Sequence, residues 1–431
     1  MILDQYSPLT RDVTSLFPQI LPLRQRSQVI NRILARRLES ILPMAMREAG
    51  LDMWLVLCQE DDLDPVFQTL IPMDTWCPIL QILVFYDRGP DQGIERINIS
   101  GTDTHDLYDR PDTGQVEQEQ WPLLRQIVEE RDPRRIGINT GSTQWAAGGL
   151  THNLYTQLTE QLPACYVERL TSAEPLIIRW LATLTEEELA LYEHVVHLAQ
   201  AIIAECYSRR TIVPGVTTAQ DLVWYYWQRC ADLGLGVSFK PHFSIIRSDE
   251  RRALHGDTDQ VVRPGDLIHC DVGIRYLRLN TDHQQLAYVL QPEEQDAPAG
   301  LRQLMEACTR LQDVFMAEFE HGLTGNQLLA NILARARQEG IPNPKVYSHS
   351  LGLFLHEPGP LIGLPWEQER CPGRGDVLLD YNYTFTMELS VGGPVPEWGG
   401  QEVRLGREED VCFTPEGCRP IRARQTAFYL V

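Results

Sequence analysis

Five side chains in the C-terminal part of this 431-residue sequence are of types that bind divalent cations: Asp271, Asp282, His349, Glu388 and Glu408. One imidazole among four carboxylates is a hard, oxygen-rich donor set suited to Mn²⁺, Fe²⁺, Co²⁺ or Zn²⁺. Five such groups suffice for two ions if some carboxylates bridge. Two ions about 3.5–4 Å apart can hold a shared hydroxide and polarise a carbonyl. In 264–290, PGDLIHCDVGIRYLRLNTDHQQLAYVL, two antiparallel strands would set Asp271 and Asp282 on one face. Like charges that close destabilise a fold unless a cation neutralises them or one takes a proton. Glu388 stands between Met387 and Leu389 in a run with strand chemistry, a costly place for an unpaired carboxylate. Read singly, the pieces have plainer meanings. Two aspartates at strand ends, among 59 acids, are usually solvated. A lone histidine is more often a hydrogen-bonded core residue than a ligand. Glu409 and Asp410, beside Glu408, read as a solvated turn.

The elements that must position these residues can be traced along the chain. His349 and His356 lie seven residues apart around an apolar SLGLFL stretch, a dry wall, with Glu357 next to the second. Thr185 and Glu188 form a capping-box pattern. Apolar residues then recur from Leu189 to Cys206 at helical spacing, so a new domain starts near 185. Within it GVTTAQDL at 215–222 resembles GLTGNQLL at 322–329, and Gly265-Asp266-Leu267-Ile268 resembles Gly375-Asp376-Val377-Leu378. The similar offsets predict two halves of like build, each running helix, turn, helix and strands. The first ~180 residues read as an α/β domain, with strands at 51–58, 79–86, 96–100 and 135–139 and helices at 28–49 and 118–131. The glycines of RIGINTGST fit neither phosphate-loop template, and this domain reads as a scaffold.

Composition narrows the function classes. With 38 Lys and Arg against 59 Asp and Glu the net charge is −21, which argues against nucleic-acid binding. The N-terminus, MILDQYSPLTRD, lacks a signal-peptide pattern, and no apolar run approaches the ~20 residues of a membrane span. Ten cysteines without a CxxC pair fit free thiols in a reducing compartment, so a soluble cytoplasmic protein is expected. No GxSxG elbow supports a serine triad, and Cys270 beside Asp271 reads as packing.

The order Asp-x-Gly (Asp271, Gly273), Asp282 eleven residues on, His349 and Gly352 before His356-Glu357, then Glu388 and Glu408 on later strands, resembles the pita-bread metallopeptidase family. That family includes methionine aminopeptidases, Xaa-Pro aminopeptidases, prolidases and creatinases. The likeness implies a pita-bread α+β catalytic domain with an internal pseudo-twofold repeat at 185–431, and a creatinase-like α/β domain at 1–180. It implies an Xaa-Pro aminopeptidase-like hydrolase with two divalent metals, manganese first among them, acting on short peptides or small amides. Asp271 would bind one metal, Asp282 and Glu408 would bridge, and His349 and Glu388 would complete the second. His356 would contact the substrate carbonyl, His255 would take the place of the upstream active-site histidine, and Glu388 would carry protons. Relatives with this N-terminal domain are commonly homodimers.

Four positions depart from the family pattern. Lys345 replaces a histidine four residues before His349, Gly406 replaces an arginine two before Glu408, and Gln284-Gln285 replaces a Thr-Arg pair. They bring in two other readings: a non-peptidase C–N hydrolase or lyase on the same fold, and an inactive relative that binds peptides.

Overall fold

The computed structural model describes residues 20–111, 116–356 and 358–431; Glu357 and the MILDQYSPLTRD segment lie outside them. The chain divides into two compact units, Pro22–Thr185 and the C-terminal Glu186–Val431.

The first unit is built on a five-stranded sheet. Met53–Gln59 lies at its centre, antiparallel to Leu80–Asp87 and parallel to Ile136–Ile138. Ile94–Asn98 and Leu170–Ser172 form the edges. Four of these strands and the helices Leu23–Glu48 and Glu117–Arg131 occur where their apolar patterns predict, each shifted by a few residues. Leu170–Ser172 escapes such a reading because three residues are too few to show alternation. The polar Asn139 after the fourth strand accepts the Trp54 indole N–H at 2.7 Å and donates to Asp64 at 2.9 Å. Those bonds satisfy buried groups inside the unit.

The second unit repeats one plan. A long helix, Glu186–Cys206, is followed by a turn and the helix Ala219–Asp232; then Ala299–Ala317 is followed by a turn and Gly325–Gln338. Both shorter helices start with a capping box, Thr218 with Asp221 and Thr324 with Gln327. Gly215 and Gly322 carry the same left-handed φ of 84°, which explains why glycine recurs there. The capping threonine also bridges the segment before the following strands in each half, to Val261 and to Leu378. The helices pack apolar faces such as Tyr192, Val195, Ala199, Ile202 and Cys206, all buried.

Besides a three-stranded sheet of Gly236–Val237, Ile274–Tyr276 and Leu279–Asn280, two larger sheets carry the strands of this unit. One runs, from edge to edge, through Tyr429–Leu430, His283–Tyr288, Leu267–Val272 and His242–Ile246. The other orders Gln401–Arg407, Glu388–Val395, Lys345–Leu351, Tyr383–Thr386, Asp410–Thr414 and Gly417–Pro420. Gln284 and Glu408 join them by reciprocal backbone bonds of 3.2 and 3.0 Å. Among the described residues no helix is long and apolar enough to cross a membrane, and the ten cysteines are free.

One ion-pair network fixes the loop between His242–Ile246 and Leu267–Val272. Buried Arg247 grips Asp266 at 3.0 and 2.7 Å and reaches Asp259 at 2.9 Å and the Val261 carbonyl at 2.9 Å. Asp266 is wholly buried, so removing its partner leaves an uncompensated charge. Arg247→Met is expected to cost about 3–5 kcal/mol, read as a lower urea midpoint. A midpoint within the error of wild type would show that the pair contributes nothing net.

Candidate metal centre

Strand pairing alone sets most of the site. Leu267–Val272 and His283–Tyr288 are antiparallel, with Asp271 opposite Gln284 and Val272 opposite His283. Asp282, two residues before Gln284, is therefore the diagonal neighbour of Asp271 on the same face. The two segments can approach this closely at Gly273 only because it is glycine: a Cβ there would lie 2.0 Å from the Thr281 carbonyl oxygen. Gln284 pairs in turn with Glu408 across the junction of the sheets. Beyond it Leu389 pairs with Arg407, which carries the register on to Glu388 beside Glu408, and Glu388 pairs with Tyr347. Asp271, Gln284, Glu408, Glu388 and Tyr347 thus form one lateral row. His349 stands two residues along from Tyr347 and so on the same face of its strand.

The carboxylates of Asp271, Asp282 and Glu408 each offer an oxygen, all within 4.8 Å of one another. Asp282, His349 and His356 form a second group within the same limit, so Asp282 belongs to both. The His349 Nε2 lies 3.8 Å from an Asp282 oxygen. Its Nδ1 is 3.0 Å from the Ser350 carbonyl, which can only accept, so Nδ1 carries the hydrogen and Nε2 presents its lone pair to the cluster. Burial pushes the His349 imidazole down to about 3, which keeps it neutral. The carboxyls move the other way. Burial raises Asp271 to about 6. Burial, helped by the Asp271 charge and opposed by a bond from Gln284, raises Glu388 to about 7. Asp282 and Glu408 are pushed well above the usual carboxylate range, by burial first and then by the other carboxylates.

Two buried oxygens, Asp282 Oδ1 and Glu408 Oε1, have no hydrogen-bond partner among the described residues. Orphaned carboxylate oxygens facing one another beside a neutral imidazole lone pair fit a divalent cation.

The structure places the other expected residues less centrally. His356 is exposed, at the edge of the cluster, with its ring 4.9 Å from that of His349. Its membership of the second donor group makes it geometrically able to ligate as well as to face a substrate. His255 ends the short helix Asp249–His255, half-buried, and belongs to neither donor group. Glu409 and Asp410 are not a solvated turn: both are at most 2% exposed. Glu409 accepts from the Gln425 backbone at 2.8 Å and Asp410 from the Asp282 backbone at 3.2 Å. Lys345 is exposed at its strand end and directs Nζ to the Pro365 carbonyl. Tyr347 and His269 were not picked out by residue type. Each stands two residues before a candidate ligand on the same strand face, and the twofold period of a strand is the signal that finds them.

Comparison with known proteins agrees with this picture. The model of metallopeptidase family M24 matches residues 190–414, more than half of the chain, and the protein belongs to that family. A Bacillus subtilis (strain 168) protein described as the uncharacterized peptidase YqhT is 28% identical over 216 residues, 48% of this chain. The match spans 53% of that relative, so about half of its length. Among solved structures, an X-Pro aminopeptidase from Thermotoga maritima MSB8 superposes with a TM-score of 0.65 at 16% identity, covering 90% of this chain and 100% of the other. An Xaa-Pro dipeptidase from Bacillus anthracis gives 0.58 at 19%, covering 92% and 100%. The prolidase from Pyrococcus furiosus gives 0.52 at 15%, covering 89% and 98%. The fold is accordingly the pita-bread fold preceded by an α/β unit.

The raised carboxyls predict a pH signature. A carboxyl whose folded value lies above its unfolded one stabilises the fold while protonated, and that contribution is lost as pH rises from about 4 through about 7. Chelator-stripped protein should therefore melt lower at about pH 8 than at about pH 5, and the Asp271→Asn, Glu388→Gln double variant should narrow the gap. Added MnCl₂ should raise the melting temperature more at the higher pH, where the ligands are already deprotonated. Equal pH dependence in the wild type and the double variant would refute the assignment of strain to these two groups.

Proposed function

We propose that this chain is a dinuclear metal-dependent aminopeptidase or dipeptidase that hydrolyses the N-terminal bond of short peptides, with Xaa-Pro bonds as the preferred class. The observation that carries the reading is the pair of orphaned, buried oxygens of Asp282 and Glu408, residues of the donor groups Asp271–Asp282–Glu408 and Asp282–His349–His356, neither of which includes Glu388. Membership of family M24 supports the peptidase class, and the likeness to an X-Pro aminopeptidase and a prolidase supports the Xaa-Pro preference.

In this reading Asp271, Asp282, His349, Glu388 and Glu408 would hold the ions. Two divalent ions there, manganese by preference, would supply a nucleophilic water at neutral pH and offset the charge that develops on the carbonyl oxygen. The protein does the rest. His349 keeps its lone pair inward through the Ser350 bond. Glu388, next to Glu408 in the lateral row, accepts a proton from the water and returns it to the leaving amine. His356, at the open side of the cluster, donates to the carbonyl oxygen of the substrate as it becomes tetrahedral. His255 is assigned to the same pocket on the motif likeness. The N-terminal unit is read as the creatinase-like domain of a cytoplasmic homodimer, by analogy with two-domain relatives.

A second reading, a non-peptidase C–N hydrolase or lyase, is favoured by the pocket departures: Lys345 is turned to Pro365 and Gln284 stands where the family often has threonine. A substrate panel separates the two. Xaa-Pro tripeptides and dipeptides should be cleaved, with activity lost to a chelator and restored by Mn²⁺. Turnover of non-peptide amides alone would select the second reading. Asp282→Ala should remove metal and turnover together. His356→Ala should keep about two metals per chain while kcat falls on the order of 10²–10³-fold. Loss of both metals in His356→Ala would make that histidine a ligand instead.

A further inference from the structure

We propose that Asp410 is a positioning residue for Asp282, the carboxylate shared by both donor groups, and that it acts through the Asp282 backbone N–H; the proposal rests on the metal reading above. Asp282 stands just outside the strand ladder, between Leu279–Asn280 and His283–Tyr288. Residues on either side have backbone partners: Thr281 donates to the Ile274 carbonyl at 2.9 Å and Gln284 to the Glu408 carbonyl at 3.2 Å. The Asp282 N–H points instead to the Asp410 carboxylate, with Oδ1 at 3.2 Å and Oδ2 at 3.4 Å. The two residues are 128 positions apart in the chain. Both are buried, 4% and 1% exposed, so water does not compete for the bond. A buried N–H stripped of its acceptor is penalised by its lost hydration, and the backbone that carries it is drawn elsewhere.

Asp410 is itself firmly held. It opens the strand Asp410–Thr414, pairs with Thr386 across the ladder, and its carbonyl accepts the Ile421 N–H at 2.9 Å. The Glu409 carbonyl just before it accepts the Met387 N–H at 2.8 Å. Among the described residues, the hydrogen bonds accepted by the Asp410 carboxylate both come from Asp282. Beside it stands His283, wholly buried, with Nδ1 3.9 Å from Asp410 Oδ2 and Nε2 3.9 Å from Glu409 Oε2. Those separations are too long for hydrogen bonds, and neither ring nitrogen has a partner among the described residues. The carboxylate of Asp410 is thus committed to Asp282. Because Asp282 belongs to both donor groups, a shift of its backbone acts on each ion that the cluster holds.

A partner that orients a ligand typically contributes about 10–100-fold to metal affinity. The test is calorimetric titration of MnCl₂ into chelator-stripped, full-length wild type, Asp410→Asn and Asp410→Leu. Both variants lose the carboxylate charge, but Asp410→Asn keeps an oxygen for the Asp282 N–H. The effect of charge is common to the two, so the difference between them reads the bond. Asp410→Leu should bind Mn²⁺ about 10–100-fold more weakly than Asp410→Asn, at both equivalents. Equal affinities in the two variants overturn the proposal, since any loss then comes from charge or packing. A gap confined to one equivalent overturns it too, because a displaced Asp282 weakens both. If Asp410→Leu fails to fold by circular dichroism, Asp410→Ala takes its place in the same comparison. Hydrogen exchange of metal-free wild type needs no variant: the Asp282 amide should exchange slowly, and exchange at the rate of an open loop overturns the bond. Wild-type protein that takes up no Mn²⁺ refutes the metal reading and this one with it. Wild type that binds Mn²⁺, with Asp410→Leu matching Asp410→Asn, refutes the positioning role alone.

Discussion

The repulsion among carboxylates held out of water on one face of the C-terminal unit is the constraint on which the rest of the site depends. Asp271, Asp282 and Glu408 bring oxygens within 4.8 Å of one another, and Glu388 adjoins them. In water such a cluster would cost little; buried, each unneutralised charge is penalised by lost hydration and by its neighbours. The chain meets the cost with raised proton affinities when no cation is present. Helices, caps and strand register then act as the frame that keeps the groups from separating. Without the frame the carboxylates would move apart into solvent; without a cation the frame would be working against its own electrostatics.

That frame has a narrow point. Two sheets that belong to similarly built halves meet at the Gln284–Glu408 bridge. Through it a single register runs from Asp271 to Tyr347, so five positions drawn from five separate strand segments share one face. A shift of one residue at this junction would turn Glu408 outward and Glu409 inward. The shift is opposed from both sides: Glu409 is held by the Gln425 amide, and Arg407 is buried with bonds to Thr309 and Gln312 of the neighbouring helix. The positions on either side of Glu408 thus fix which of three consecutive acids faces the cluster.

Much of this was legible in the sequence, for reasons that can be named. Strands of the N-terminal unit announce themselves through β-branched and aromatic runs, and the paired capping boxes at Thr218 and Thr324 mark the internal repeat. Asp271 and Asp282 follow from a turn whose length matches antiparallel pairing. What local pattern could not supply is the contact across the sheets. Glu409 and Asp410 read as solvated because clustered acids usually are, yet long-range partners bury them. His269 was passed over for a related reason. A histidine in a strand carries no signal of its own; its meaning comes from Gln284, fifteen residues away in sequence and adjacent through pairing.

The three acids 408–410 show how one short segment serves two layers. Successive side chains of an extended chain point to opposite faces, so Glu408 enters the cluster while Glu409 turns to the Gln285 and Gln425 side. Asp410 then accepts the backbone N–H of Asp282, the residue shared by both donor groups. The backbone of the most central carboxylate is therefore anchored by a neighbour of Glu408, across the sheet junction. Coupling of this kind makes the position of Asp282 depend on the same register that places Glu408. The cluster can only form as a unit, which is why its residues are meaningful together and unremarkable one at a time.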